Sequence, residues 1–203
     1  MSTLKAVFAA TLLVVSIAGP VVAAPAEVLT GIQAYERRDY QTALRLYRSA
    51  ADQGNAEAAW YLGLMHDKGE GVLQSGSEAA KWYRLAVERG LDMARVYIGE
   101  LYYEGRGVPQ DFAEAVKWFR PAAEMGDVSA QYYLGLMRYE GQEVQKDYVQ
   151  AYKWLNLSAA NEIVISKDDH NDVVRKRNMV ASKMTSAQIS EAQRLAREWK
   201  PSK

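Results

Sequence analysis

The sequence predicts an all-α protein, an α/α solenoid of stacked antiparallel helix pairs that ends in a divergent C-terminal helical cap. Three observations predict this fold. The chain repeats itself every 36 residues, each repeat holds two helical segments joined by turn glycines, and the last part stays helical but leaves the period. With 49% hydrophobic residues, the 203-residue chain can form a continuous core.

Residues 1–23 predict a secretory signal peptide. Lys5 supplies a positive charge, and the uncharged, mostly apolar run at residues 6–18 ends at Gly19-Pro20. We expect cleavage after Ala23. An uncleaved membrane anchor is the alternative, but the apolar run is short for a full span. Cleavage would leave a soluble periplasmic or secreted bacterial protein with no stable membrane insertion.

Three 36-residue units align without a gap, and the segments on either side fit a partial unit and a cap. Identical residues recur at many registers. Examples are Gly63, Gly99 and Gly135; Tyr61, Tyr97 and Tyr133; and Trp82, Trp118 and Trp154. The predicted organisation is a helical pair at 24–49, repeats at 50–85, 86–121 and 122–157, and capping helices at 158–203.

Each unit is expected to contain a helix A and a helix B, at about 55–68 and 76–88 in the first unit. Capping boxes are expected at the start of helix B. The pairs are Ser75 with Glu78, Asp111 with Glu114, and Asp147 with Gln150. A glycine inside a helix costs about 1 kcal/mol relative to alanine. Its repetition inside helix A therefore predicts close packing of helix B at that register.

The C-terminal segment is expected to form a last helical pair at residues 166–182 and 185–199. Thr185 and Gln188 can form another capping box. Ile189, Ala192 and Trp199 lie on one helical face. Because this pair departs from the repeat, it is suited to cover the apolar end of the stack.

The repeat residues resemble the Sel1-like repeat family. The resemblance is carried by Tyr61-Leu62-Gly63, by Ala79-Ala80-Lys81-Trp82 and most closely by the segment from Gly105 to Ala115. It implies an α/α solenoid related to tetratricopeptide arrays, in a family whose members generally act as interaction scaffolds. The third unit departs from the pattern at Glu143, which replaces the second loop glycine.

By analogy with tetratricopeptide arrays, outward positions of helix A should line a concave binding face. That face mixes aromatic and acidic side chains with one cation, Lys68, which suggests binding of a protein or peptide segment with basic and apolar residues. The candidate residues are Trp60, Leu64, Asp67, Glu100, Tyr103, Glu104, Tyr132, Tyr139 and Glu140. Core packing of Trp60 and Tyr132, and a merely solvated acidic face, are the alternatives.

Composition argues against several other functions. With 25 basic and 25 acidic residues, the chain lacks the positive charge of general nucleic-acid binders. It has no cysteine, which excludes disulfides, and its two histidines leave few side chains for metal sites or nucleophilic catalysis. Together with the scaffold role that the family resemblance implies, these absences predict a non-catalytic envelope scaffold without a cofactor. A cell-wall ligand binder or hydrolase is the alternative, because some cysteine-rich exported relatives are linked to penicillin binding or hydrolysis.

Overall fold

The computed structural model describes residues 26–142, 146–161 and 167–202, which contain ten α-helices and no strand. The signal peptide predicted at residues 1–23 and Glu143 lie outside the described residues. The helices are α1 (Ala26–Glu36), α2 (Tyr40–Asp52), α3 (Ala56–Lys68), α4 (Gly76–Glu88), α5 (Ala94–Glu104), α6 (Phe112–Glu124), α7 (Val128–Glu140), α8 (Tyr148–Ala159), α9 (Lys167–Ala181) and α10 (Ser186–Glu198).

Neighbouring helices stack in chain order, which confirms the predicted solenoid. Odd-numbered helices α1 to α7 are the A helices, and each packs on the B helix that follows it. Each of the B helices α2, α4 and α6 then packs on the next A helix. At the end of the stack, α9 and α10 both pack on α8, and α9 also contacts α7. The two C-terminal helices thus cap the last unit by packing mainly on α8 and not as a further mutually packed pair.

The predicted capping residues start the B helices α4, α6 and α8, but only half of each box predicted there forms. The side chains of Ser75, Asp111 and Asp147 accept hydrogen bonds from backbone N–H groups three residues later. The reciprocal bonds are missing at Ser75 and Asp111, because Glu78 and Glu114 bind Lys81 and Lys117. Both halves form only later, in α10, between Thr185 and Gln188.

Left-handed glycines end the A helices, as the sequence predicts. Gly69, Gly105 and Gly141 have φ of 72°, 68° and 75°, a region that glycine enters without steric cost. One A helix starts late. Asn55 and Asp127 cap α3 and α7, but the same register in the second unit holds Leu91. Without a capping side chain there, α5 begins at Ala94, two residues later in the repeat than α3 and α7.

The glycines inside the A helices confirm the close packing that their repetition predicts. A Cβ on Gly63 would lie 2.5 Å from Tyr83 Cδ1, and one on Gly99 would lie 2.5 Å from Phe119 Cε1. On Gly135 it would lie 2.6 Å from Leu155 Cγ. Each A helix therefore touches its B helix so closely that a methyl group would not fit.

Aromatic rings join successive units. Tyr47 stacks on Tyr61 with ring centroids 4.6 Å apart, and Phe119 stacks on Tyr133 at 4.7 Å. Each pair joins a B helix to the A helix of the next unit. Of the repeated tryptophans, Trp154 is buried, whereas Trp82 and Trp118 are half-buried and pack against the core. The chain has 13 tyrosines and 5 tryptophans, and the repeated ones among them pack between units or against the core.

Candidate functional site

The candidate residues occupy four rows along the A helices, each with a spacing of 36 residues. The first row, which contains Trp60, Val96 and Tyr132, lies in the seam between neighbouring helices. The Trp60 ring is 5.5 Å from the Tyr97 ring of the next A helix. Val96 and Tyr132 are each only 5% exposed, whereas Trp60 is half-buried. Only Trp60 of this row could therefore contact a partner.

Tyr132 is buried because the C-terminal cap covers the third unit. Its hydroxyl donates a hydrogen bond of 2.7 Å to Asp172 on α9. Burial and this hydrogen bond raise the pKa of Tyr132 above its ordinary value. In this structure Tyr132 serves to dock α9, which corresponds to the core-packing alternative of the sequence interpretation.

An arginine in the loop between α5 and α6 organises the acidic candidates. The Arg106 guanidinium pairs with Asp67 of the preceding unit and, through Nε, with Glu104 Oε2 at 2.5 Å. Its Nη2 lies 3.9 Å from Glu100 Oε2. The acids of the first two units therefore face a shared cation, so this part of the surface is less negative than the sequence suggests.

Glu100 is also largely buried in this cluster, with its side chain 14% exposed. Burial raises the pKa of Glu100 to about 8, against the lowering effect of Arg106 and with additional raising by Glu104 and Asp67. At neutral pH the carboxyl is therefore mostly protonated. The charged groups that remain in the cluster are the carboxylates of Asp67 and Glu104 and the guanidinium group of Arg106.

The part of the face that stays accessible is smaller than the predicted set, and we call it the A-face surface. Asp67 is buried at 9% exposure, so it does not belong to it. Glu104 and Glu140 are exposed, as is Lys68 in the same row. The A-face surface comprises Trp60, Leu64, Tyr103, Glu104, Tyr139 and Glu140.

The aromatic members of the A-face surface are held in place by other rings. Tyr103 makes an edge contact with Phe112, with centroids 5.6 Å apart, and a tilted contact with Tyr133 at 5.1 Å. Tyr139 packs at 5.9 Å against Tyr148. These half-buried rings are therefore fixed in orientation, which reduces the entropy lost when a partner binds.

The sequence interpretation missed the residues in the middle of the loops. Arg106 reaches back to Asp67, and its counterpart Glu70 accepts hydrogen bonds from Tyr35 and Tyr40 of the preceding pair. Both lie between two glycines of a repeated loop, which marks them as equivalent. Since one is basic and the other acidic, the repeat alone does not indicate their common role of tying one unit to the one before it.

Among residues 26–142, 146–161 and 167–202, no group of three or more histidine or carboxylate side chains is arranged so that it could hold a metal ion. His66 is half-buried, and burial lowers its pKa. None of the helices in the described part of the chain is long and apolar enough to span a membrane.

Comparison with known proteins agrees with the repeat architecture. The family model of the Sel1 repeat matches residues 27–55, 56–91, 93–127 and 128–162. These segments have nearly the same period as the units defined above but start close to helix A. Comparison with the curated proteins finds no match.

Two solved structures extend the comparison. A Sel1 repeat protein from Oxalobacter formigenes is 31% identical, with 83% of this chain and 74% of that chain covered and a TM-score of 0.61. A protective antigen of uropathogenic Escherichia coli strains, which displays an SLR fold, is 27% identical with a TM-score of 0.51. That alignment covers 87% of this chain but only 45% of the antigen. The chain belongs to the Sel1 repeat family, whose members generally act as protein–protein interaction scaffolds.

Proposed function

We propose that this chain is a scaffold of the bacterial envelope that binds a protein or peptide segment on the A-face surface. The observation that carries the proposal is the combination of four half-buried apolar or aromatic side chains with two exposed carboxylates on one side of the stack. Fixed aromatic anchors beside an exposed charge are typical of binding hot spots.

Charge and shape define the segment that would fit. Trp60, Leu64, Tyr103 and Tyr139 offer apolar contact area, and they lie on three successive A helices. Arg106 neutralises much of the acidic cluster, so Glu140 is the clearest negative group of the surface. We therefore expect apolar residues in the bound segment, with a basic residue placed near the third unit.

Selection from a library of random displayed peptides tests this expectation. The natural chain should enrich peptides that combine apolar residues with lysine or arginine. Glu140→Lys should weaken binding of these peptides, and Lys68→Glu should strengthen it, because both residues lie in the same exposed row. Glu88→Lys at the end of α4, a B helix, is the matched control and should change nothing. No enrichment, or an equal effect of all three substitutions, would contradict the proposal.

The envelope location rests on residues 1–23, and a separate measurement tests it. Mass spectrometry of the chain isolated from its native source should give a mature protein that starts at Ala24. Retention of the first 23 residues would argue for an anchor or for a protein that is not exported.

Incubation with a labelled β-lactam tests the hydrolase alternative, and the scaffold proposal expects neither turnover nor acylation.

A further inference from the structure

A groove that shares no residue with the A-face surface is lined by more basic than acidic side chains. It lies between the B helices α6 and α8, above α7, with a volume of about 210 Å³. Arg120 and Arg138 line it together with Glu124, Gln150 and Trp154. Neither arginine forms an ion pair or side-chain hydrogen bond within the described part of the chain. Two unpaired guanidinium groups therefore face one small space.

The repeat provides two internal comparisons for this groove. Moving back by 36 and 72 residues gives the corresponding positions between α4 and α6 and between α2 and α4. These are Arg84, Glu88, Tyr102 and Glu114 in one case, and Arg48, Asp52, His66 and Glu78 in the other. With histidine neutral, each earlier set carries one cation and two acids. The groove between α6 and α8 carries two cations and one acid, because Arg138 and Gln150 occupy the two positions that differ.

In the groove between α4 and α6 the arginine has a partner within the chain. Arg84 donates a hydrogen bond of 2.5 Å to the Tyr102 hydroxyl, at the position that Arg138 occupies in the later unit. Two arginines cannot satisfy each other in that way, since the guanidinium group has donors and no acceptor. The substitution at this register therefore leaves Arg120 without the acceptor that Arg84 has.

Because Gln150 stands where the earlier units have a glutamate, the lysine three residues later has no carboxylate partner at that position. In the earlier units Glu78 binds Lys81, with Nζ and Oε1 2.5 Å apart, and Glu114 binds Lys117. The corresponding Lys153 lies over the Trp154 ring, 4.2 Å from its centroid. A third cation thus stands beside the groove, held by an aromatic ring and not by an acid.

The positive surface continues beyond the groove. Arg138 also lines an adjoining hollow of about 400 Å³, together with Lys146 from the loop before α8 and Gln188 from α10. Asp147 in that hollow is engaged in capping α8. Arg138 therefore lines both depressions, which together place Arg120, Arg138 and Lys146 against the two acids Glu124 and Asp147.

We propose that this site, the arginine groove of Arg120, Arg138, Gln150 and Trp154, binds a carboxylate side chain of an acidic protein segment. Guanidinium groups bind carboxylates through paired N–H donors, and the Gln150 amide can add a further donor. A second acidic residue of the segment would reach Lys146 in the adjoining hollow. The scaffold would then hold an acidic segment on the B-helix side as well as a basic, apolar segment on the A-face surface.

Calorimetric titration of the full chain with an acetylated, amidated tetraglutamate peptide tests the proposal. Two variants restore the residues of the earlier grooves and so should fit the fold. Arg138→Tyr and Gln150→Glu should each weaken binding about tenfold or more, because each removes a charge-assisted contact or supplies an internal carboxylate. Arg37→Tyr, which removes the same charge at the turn after α1, should leave the affinity within about twofold.

Three results would overturn the proposal. The first is no saturable binding of the peptide, and the second is an equal loss of affinity in the Arg37→Tyr control, which would indicate only a general charge effect. The third is tighter binding of inorganic phosphate in a parallel titration, which would assign the groove to phosphate and not to a carboxylate. Far-ultraviolet circular dichroism of each variant shows whether the helices are retained.

Discussion

Substitution of Glu100 by glutamine should make the protein more stable at neutral and alkaline pH. Burial raises the pKa of this carboxyl to about 8 from its ordinary value of 4.5. In the folded chain the group therefore holds its proton over a pH range in which the unfolded chain releases it. The stabilisation that comes from the protonated Glu100 is fully present below about pH 4.5 and is lost as the pH rises toward 8.

The size of the effect follows from the two pKa values. At 1.36 kcal/mol per pKa unit, their difference corresponds to an upper limit of about 5 kcal/mol above pH 8 and to about 3 kcal/mol at pH 7. Arg106 already contributes to this balance, because its charge lowers the pKa that burial raises. Glutamine keeps the shape of the protonated carboxyl and does not ionise, so it should avoid the loss.

Urea denaturation of the natural chain and of Glu100→Gln between pH 5 and 8.5 provides the assay. The free energy of unfolding should be similar for the two proteins at pH 5, and the difference should grow steadily in favour of the variant. Glu140→Gln, at an exposed position, gives the background effect of removing one negative charge. A difference that stays flat between pH 5 and 8.5 would refute the interpretation of a buried, protonated Glu100.

Three further substitutions test the packing and capping arguments by thermal or urea denaturation. Gly99→Ala gains about 1 kcal/mol of helix propensity, but its Cβ would lie 2.5 Å from Phe119 Cε1. We therefore expect a net loss of about 1 to 2 kcal/mol, and a gain would contradict the close packing. Tyr132→Phe removes the hydrogen bond to Asp172 and should lower the free energy of unfolding by about 1 kcal/mol. It should also loosen α9, which faster amide exchange in that helix would show. Unchanged exchange would argue against the docking role of Tyr132. Asp111→Ala should also cost about 1 kcal/mol through loss of the α6 cap, and an unchanged midpoint would show that the cap is not needed.

Much of the fold was predictable because the repeat reports the same local physics several times. Gly63, Gly99 and Gly135 each appear unfavourable alone, but their common register indicates close helix contact, and the structure confirms it. Capping residues were predictable for the same reason. The late start of α5 is the exception that follows from the same rule, since Leu91 cannot cap a helix.

The candidate site was harder to predict because it depends on contacts between units. Analogy placed Asp67 and Tyr132 in the outward rows, but Arg106 reaches Asp67 from the next loop, and α9 covers Tyr132. Both contacts join residues about one repeat apart, and they involve side chains that differ from unit to unit. A periodic pattern shows what units share, whereas these contacts arise from what they do not share.

Site-specific photocrosslinking in the native source most directly tests whether the A-face surface is the binding surface for a basic, apolar segment. Replacement of Tyr139 by an aromatic photocrosslinking residue keeps a ring in place on α7, and the same residue at Lys81 on α4 samples the exposed B-helix side. The proposal predicts a discrete protein adduct from position 139, whose crosslinked peptide contains basic and apolar residues, and no matching adduct from position 81. An adduct obtained only from position 81, or an acidic peptide crosslinked at position 139, would contradict it.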